Sequence, residues 1–426
     1  VTTSVGYGAD ANLIEQAAGL FIQHMRRDGK MSKLRGKMPK ESEAVSGERM
    51  QTSASMPIVQ TIDLGKGIGD EVEFNFLQPI GAYPIMGSNI AQGRGSSLHI
   101  IKERMRVNQA RFPIDTGDAM SRIRSPVDLV RFARPAALEL MNRYVDDSTL
   151  VHMAGARGFH NTLEWGVPLA SHPDFASIMV NPVTAPTKNR HFVVDGDAII
   201  GVTANGGDLT TTTGSVMDIG VMDAIRNVMD NMSLPPPPVV IEGDVAAKDE
   251  PLRLMLMGPS VYNKFAADSA YRSYQAAAMS RARTAKEHPL FLGEVALWNG
   301  FLIMKTPKAI RFYAGDEIKY CASLTSETES SVLVPASFGT TYAVERSLIL
   351  GGQGVAEAMA RHPDYNGPIF WGTEEYDFKD KKELMIGAVR ALRKVRWKIN
   401  TGAGEHWTDH GIIAIDSVVP ITGARN

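Results

Sequence analysis

The sequence predicts an α+β fold, and three observations carry that reading. Asn299-Gly300 stands between two apolar runs in HPLFLGEVALWNGFLIMKT, residues 288–306, and an Asn-Gly pair flanked by β-formers marks a two-residue hairpin because both residues tolerate positive φ. Val72, Phe74 and Phe76 alternate with Glu73 and Asn75, the period of a half-buried strand. Ser125-Pro126 combines an N-cap hydroxyl with proline at the first helical position, and Val127, Val130, Ala133, Ala137, Leu140, Met141, Tyr144 and Val145 continue at helical spacing.

Taken in order, residues 9–27 repeat apolar side chains at helical spacing, through Ile14, Ala18, Phe21, Ile22 and Met25. From residue 24 to 40, seven basic side chains face one acid, Asp28, and the residues to 55 are small and polar, which reads as an extended arm. Strands are expected at residues 57–64 and 71–77, then a Gly-rich passage over 81–97 and a further strand over 98–107. Together these make a long hairpin with an elaborated tip, and loops of this length are usually functional. Pro135 must bend or split the helix that begins at Ser125, since it lacks a donor and clashes with the preceding turn.

A second helix is expected from Ser215, with Asp218 three residues on in an approximate capping box, to about Met232. Four prolines, 235–238, then form a stiff boundary before VVIEG, which reads as a strand. Residues 252–257 suggest a buried strand, 260–267 and 270–283 helices, 345–361 a glycine-interrupted helix, 376–400 a polar turn followed by a basic helix or strand, and 411–420 a final strand. No internal repeat is visible.

Composition narrows the function classes. With 44% hydrophobic and 22% charged residues in 426, the chain can bury one large or two ordinary cores. Forty-five basic against 47 acidic side chains leave a formal charge of -2, so any nucleic-acid contact must be local. The single cysteine, Cys321, excludes an internal disulfide framework and suits a reducing cytosol. No signal peptide and no apolar stretch of about 18 residues is present, so a soluble, unexported protein without membrane contact is expected. Twenty-one methionines read as core filler, with adaptable interface contacts as the sharper alternative.

A search for chemistry assembles no constellation. Gly65-Lys66-Gly67-Ile68-Gly69 leads into a strand where a phosphate loop leads into a helix, and Gly93-Arg94-Gly95 lacks the spacing. His406 and His410 would chelate zinc only on a helix, and glycines flank them. Gly258-Pro259-Ser260 lacks the last glycine of a nucleophile elbow, and Cys321 lies in an apolar strand-like run, which reads as an inert core thiol. The expectation is no catalytic residue, no cofactor and no metal: not an enzyme.

Several blocks resemble one family when read in order: GDEVEFNFLQPI with the Gly-rich loop after it, SPVDLVRFARPAALELMNRYVDD, LRLMLMGPSVYNKFAADSAYRSYQAAA, HPLFLGEVALWNGFLIMKT, ERSLILGGQGVAEAMA and EEYDFKDKKELMIGAVRALRKVRW. They are similar to the major capsid proteins of tailed phages with the Hong Kong 97-type fold, in the N-four-type podophage branch. Pro135 departs from the pattern of an uninterrupted spine helix, and residues 155–210, with LTTTT from Leu209, match no block. The resemblance implies an N-terminal arm (1–60), an extended β-hairpin loop with flanking strands (61–115), a peripheral domain with a long spine helix (116–235), an axial domain returning to the peripheral one (236–400) and a C-terminal strand (401–426).

It further implies a subunit that self-assembles, as hexamers and pentamers, into an icosahedral head shell around double-stranded DNA. Scaffold, portal and cementing proteins are implied partners, and the location is the virion after assembly in the bacterial host cytoplasm. On this reading Tyr83, Ile85, Met86 and Ile90 at the loop tip are the intersubunit candidates. Arg26, Arg27, Lys30, Lys33 and Arg35 in the arm are the candidates for the packaged genome or an acidic neighbour. The rival readings are a tube-like phage assembly component, which would lack the spine helix, and a soluble hydrolase or transferase, which would need a convergent polar pocket.

Overall fold

Apolar runs such as residues 254–257 and 412–415 have no polar position to turn toward water, so they belong in a sheet covered on both faces. The computed structural model places them there. It describes residues 31–35, 52–53, 55–64, 71–77, 84–87, 89–95, 100–125, 129–160, 162–196, 198–202, 214–240, 252–273, 295–360, 369–400 and 404–421.

A 3-10 turn at Met31–Leu34 leads to Arg35, which bridges in parallel to Ile58 at the head of β1 (Ile58–Leu64). Strands β2 (Glu71–Leu77) and β3 (Ile100–Arg106) pair antiparallel along their whole length. After Val107 come β4 (Asn108–Asp118), α1 (Ala119–Arg124) and the long α2 (Leu129–Ala154). The middle of the chain adds α3 (Phe175–Met179), β5 (His191–Asp195), β6 (Ala198–Gly201) and α4 (Ile219–Asp230). Next are β7 (Arg253–Met257), α5 (Pro259–Phe265), β8 (Val295–Trp298), β9 (Phe301–Lys305) and β10 (Ile310–Phe312). A small hairpin, β11 (Glu317–Cys321) with β12 (Glu329–Leu333), precedes β13 (Tyr342–Leu350) and β14 (Val355–Ala360). The chain closes with β15 (Ile369–Tyr376), β16 (Lys381–Lys394), β17 (Arg396–Asn400), β18 (Glu405–Asp409) and β19 (Ile412–Pro420).

Two sheets organise these elements. The larger runs β6, β5, β19, β13, β7, β9, β8, with β10 beside β13. Alternate residues of its central strands point to opposite layers. Val344, Leu348, Leu254, Leu302 and Ala414 join one core, and Ala343, Ile349, Met255, Ile303 and Ile415 the other. Helices α4 and α5 cover the second face through Val221, Ile225, Met229, Val261 and Phe265. The first face meets α2, whose Ala137, Met141, Val151 and Ala154 also reach Ile386, Ala388 and Leu392 of the smaller sheet. That sheet is built on β16. Leu384 pairs with both Ile114 of β4 and Thr373 of β15, and Val389 with both Gln109 of β4 and Ala360 of β14, so β14 and β15 share the edge opposite β4. Strand β1 continues outward from β14 in parallel.

The predicted hairpin at Asn299-Gly300 is present. Trp298 pairs with Phe301, leaving two turn residues at φ 44° and 78°, the sign a type I′ turn requires. The Trp298 indole and the Asn299 amide both donate to Asp223 of α4, which ties the turn to the helix layer. The final strand is also present, as β19.

Other expectations are corrected. Residues 345–361, expected as a glycine-interrupted helix, form β13 and β14, with Gly351-Gly352 in the turn between them. Glu345 and Arg346 gave the run a helical look, but both are buried and paired across the sheet: Glu345 to Arg311 at 2.9 Å and Arg346 to Asp416 at 2.7 Å. The segment 376–400 resolves to strand, not helix. Ser125 closes α1, its N–H donating to Ser121 O, and α2, described from Leu129, runs unbroken through Pro135. Asp218, not Ser215, caps α4 by accepting from the Val221 N–H at 2.9 Å. Residues 31–35, expected in a polar arm, are packed, with Met31 and Leu34 in the main core. The expected helix at 9–27, most of 270–283 and the VVIEG strand beyond residue 240 lie outside the described residues.

Candidate assembly surfaces

The long hairpin has a docked stem and an exposed end. Its stem alternates, so Val72 and Met105 face inward onto Ala358 and Ala391 of the smaller sheet. Phe76 stacks on Trp397 with ring centroids 4.8 Å apart, and Phe74 meets the same indole edge-on at 5.5 Å. On the outer face Arg104 pairs with Glu73 at 2.7 Å, a cross-strand pair that holds register while remaining in water. Farther out, Leu77 and Ile100 are exposed at the end of the ladder. Of the predicted tip residues, Ile85, Met86 and Ile90 are described, and all three are exposed, Met86 to 71% and Ile90 to 73%. Tyr83 lies outside the described residues.

A second exposed end is the turn between β15 and β16, where Asp377, Phe378 and Lys379 have φ of 55°, 53° and 72°. Three successive left-handed residues are costly unless the surroundings fix them. Here Asp380 does so, accepting from the Ala119 N–H at 3.2 Å and from the Arg122 guanidinium at 2.9 Å. The Phe378 ring is fully exposed, beside a helix that also exposes Met120 and Ile123. From sequence this segment reads as a polar turn. An aromatic inside YDFKDK was the one available signal.

Of the predicted basic candidates, Arg35 alone has a described side chain. Arg26, Arg27 and Lys30 lie outside the described residues, as does the Lys33 side chain. Arg35 is committed inside its own chain: its guanidinium meets Glu357 at 2.6 and 3.0 Å, and Arg390 reaches the same carboxylate at 2.5 Å. Burial raises the Glu357 carboxyl, but Arg390 and Arg35 outweigh it and hold the group below its ordinary range. Arg390 also donates to Ser148 and Thr149 of α2 at 2.6 Å each, so this cluster joins the arm's root, β14, β16 and the long helix. Comparable buried pairs are Lys308 with Asp147 at 2.6 Å and Arg396 with Asp409 at 2.7 Å.

None of this polar chemistry converges on a cleft as a reactive group would. Among the described residues no three His, Cys, Asp or Glu side chains are grouped to hold a metal. His406 lies in strand β18 and His410 just after it. Four residues of extended chain separate imidazoles by about 13 Å, too far to share an ion. Burial pushes the Cys321 thiol up, away from reactivity. No helix among the described residues is long and apolar enough to cross a membrane.

Comparisons with known proteins agree with the shape. The family model described as "Phage capsid protein" matches residues 4–421. The structure is similar to the capsid of Ralstonia phage GP4, with a TM-score of 0.70 and 18% identity over 100% of both chains. It is also similar to the capsid asymmetric unit of cyanophage Pam1, at TM-score 0.60 and 13% identity over 97% of this chain and 96% of that one. The head structure of Helicobacter pylori bacteriophage KHP40 matches at TM-score 0.54 and 9% identity, over 98% and 96%. At these identities the likeness is one of fold. No curated protein matches the sequence.

Proposed function

The chain belongs to the phage capsid protein family and is a major capsid protein with the Hong Kong 97-type fold, and we propose that it closes an icosahedral head shell of hexamers and pentamers around double-stranded DNA. The observation that carries this reading is the pairing of a docked stem with an apolar exposed end in the long hairpin. Its inner residues are committed to the smaller sheet, while Ile85, Met86 and Ile90 stand in solvent. Exposed apolar side chains gathered on one loop mark a site meant to be covered. In a shell the cover is a second copy, and many interfaces of about 1,600 Å² acting together hold without any one being tight.

On this reading Tyr83 joins the same contact, and the chain divides as the motifs suggest: arm 1–60, hairpin 61–115, peripheral domain 116–235, axial domain 236–400 and terminal strand 401–426. The subunit acts as a structural part, not an enzyme. It assembles in the host cytoplasm with scaffold, portal and cementing partners. The motif order supports the N-four-type podophage branch. Arg26, Arg27, Lys30 and Lys33 remain the candidates for genome contact, without Arg35. Four phosphate contacts would give the arm's DNA association a steep salt dependence, with a log–log slope of about -3 to -4. A salt-independent association would remove the genome role.

Electron microscopy of the expressed full chain tests the central claim. Closed shells, or rings of five and six subunits, are expected. Open tubes would favour a tail-tube or other tubular component, and monomers persisting at high concentration would overturn the shell reading.

A further inference from the structure

The segment Met179-Val180-Asn181-Pro182 follows α3 and matches none of the family-like blocks. Its chemistry is unusual for a connector. Proline at 182 biases Asn181 toward extended backbone. Val180 has φ 64° and ψ -58°, a region that β-branched side chains avoid. The Asn181 N–H donates to Met179 O at 2.7 Å across it, which makes a γ-turn of the strained, positive-φ kind. Backbone strain of this sort persists only where neighbours over-determine it. Those neighbours come from α2: the Tyr144 hydroxyl donates to Ile178 O at 2.9 Å, and the His152 ring lies 3.4 Å from Met179 O.

The strained turn delivers the Asn181 side chain to the root of the long hairpin. Its Oδ1 accepts from the Arg106 N–H at 2.8 Å, and its Nδ2 donates to Arg106 O at 3.0 Å and to Leu392 O at 3.1 Å. Arg106 is the last residue of β3, and only Val107 separates it from β4. Both backbone groups of Arg106 that a further strand would bind are therefore taken by one carboxamide. Asn181 itself is buried, and its bond to Leu392 O is shielded from water, while the two bonds to Arg106 lie at the more open end of β3.

We propose that Asn181 is the positioning residue of the hairpin: its carboxamide substitutes for a missing strand at the β3 edge and, through the turn at Val180, ties the hairpin root to α2 and β16, setting the angle at which the tip leaves the body. The inference rests on the reading of that tip as an intersubunit surface. The seven-residue strands of the stem are docked through Val72, Met105, Phe74 and Phe76, so the carboxamide fixes the inner end of that docked stem, and a shift there is carried along the strands to the tip.

Hydrogen exchange on the unassembled full-length chain, with electron microscopy of assembled material, tests this. Asn181→Leu removes all three bonds and is expected to speed exchange in residues 100–110 about tenfold or more, with residues 342–350 and 412–420 unchanged and with shells of irregular curvature. Asn181→Asp keeps the acceptor for the Arg106 N–H but turns a carboxylate oxygen toward the Arg106 and Leu392 carbonyls, so at neutral pH it should exchange at least as fast as Asn181→Leu. Unchanged exchange at 100–110, an equal increase across both sheets, or an Asp variant as slow as wild type would each overturn the clamp. Failure of the wild-type chain to form shells would sink the capsid reading and leave the exchange comparison intact.

Discussion

Replacing Glu357 with Gln keeps the shape of the side chain and removes the one negative charge between Arg390 and Arg35. Arg390 is almost wholly buried, and its remaining partners would be the Ser148 and Thr149 hydroxyls and a neutral amide. Leaving a buried charge uncompensated costs about 3–5 kcal/mol, and the two retained hydroxyl bonds place the expected loss toward the lower end. Arg35→Ala is the informative contrast. Glu357 then keeps Arg390, and the Arg35 site has some solvent access at 14% side-chain exposure, so a loss of about 1–2 kcal/mol is expected, toward the lower end for hydrogen bonds to charged groups. Urea unfolding of unassembled subunits reads both as midpoint shifts at unchanged slope. Equal losses in the two variants, or a Glu357→Gln change smaller than about 1 kcal/mol, would refute the view that Glu357 and Arg390 form the essential pair and Arg35 the latch upon it.

Stability should begin to fall below about pH 6.5: burial depresses His152 to about 3 and His410 to about 4, so each contributes fully above its unfolded value and loses that contribution as the pH approaches the folded one. The decline should steepen below about pH 4, where the unfolded chain takes up protons on Glu357, Asp409 and Asp416, which cationic partners hold ionised against burial in the folded subunit; a midpoint unchanged from pH 7 to 3 would contradict both. Met86→Asp and Ile90→Asp alter exposed residues, so subunit stability should stay within about 0.5 kcal/mol while shell yield by sedimentation collapses; normal yields would show the tip uncovered in the shell. Phe378→Ser should behave the same way if the fixed turn after β15 is a second contact point, and full assembly would remove it from the interface. Gly387→Ala would set a Cβ 2.3 Å from the Phe370 ring, and the forced shift should cost about 1–3 kcal/mol, read by the same urea assay.

What the sequence made legible was local. Asn299-Gly300 announces its turn because both residues must take positive φ, and alternation in EVEFNFL announces a hairpin stem because one face is wet. The helix expected at 345–361 failed for the opposite reason. Glu345, Arg346 and Glu357 sit in buried strands, satisfied by Arg311, Asp416 and Arg390, at separations of 34, 70 and 33 residues. No local pattern encodes such partners. Arg35 was grouped with an exposed basic arm for the same reason, since its acid stands 322 residues away. Asn181 gave no signal beyond an Asn-Pro pair, and its three acceptors and donors come from residues 75 and 211 positions distant.

Net stability does not account for the amount of buried charge, since apolar replacements of such pairs are often neutral or stabilising. What the pairs do provide is a fixed geometry between distant elements. Lys308 joins Asp147 of α2 to the segment before β10, Arg346 joins β13 to β19 and to Ala154 O at the end of α2, and Arg390 joins β16 to β14 and to Ser148 and Thr149 in the C-terminal part of α2. Each link therefore references the long helix to one of the two sheets. A shell subunit needs that more than it needs stability, because an angular error between its parts repeats in every copy and prevents closure, whereas a loss of 1–2 kcal/mol is made up by neighbours. The polar layer around α2 is therefore where a variant is expected to change curvature. Variants that cost stability there should also broaden the distribution of shell diameters, and surface variants of equal cost elsewhere should not. Equal broadening from both sets would reduce the layer to an ordinary source of stability.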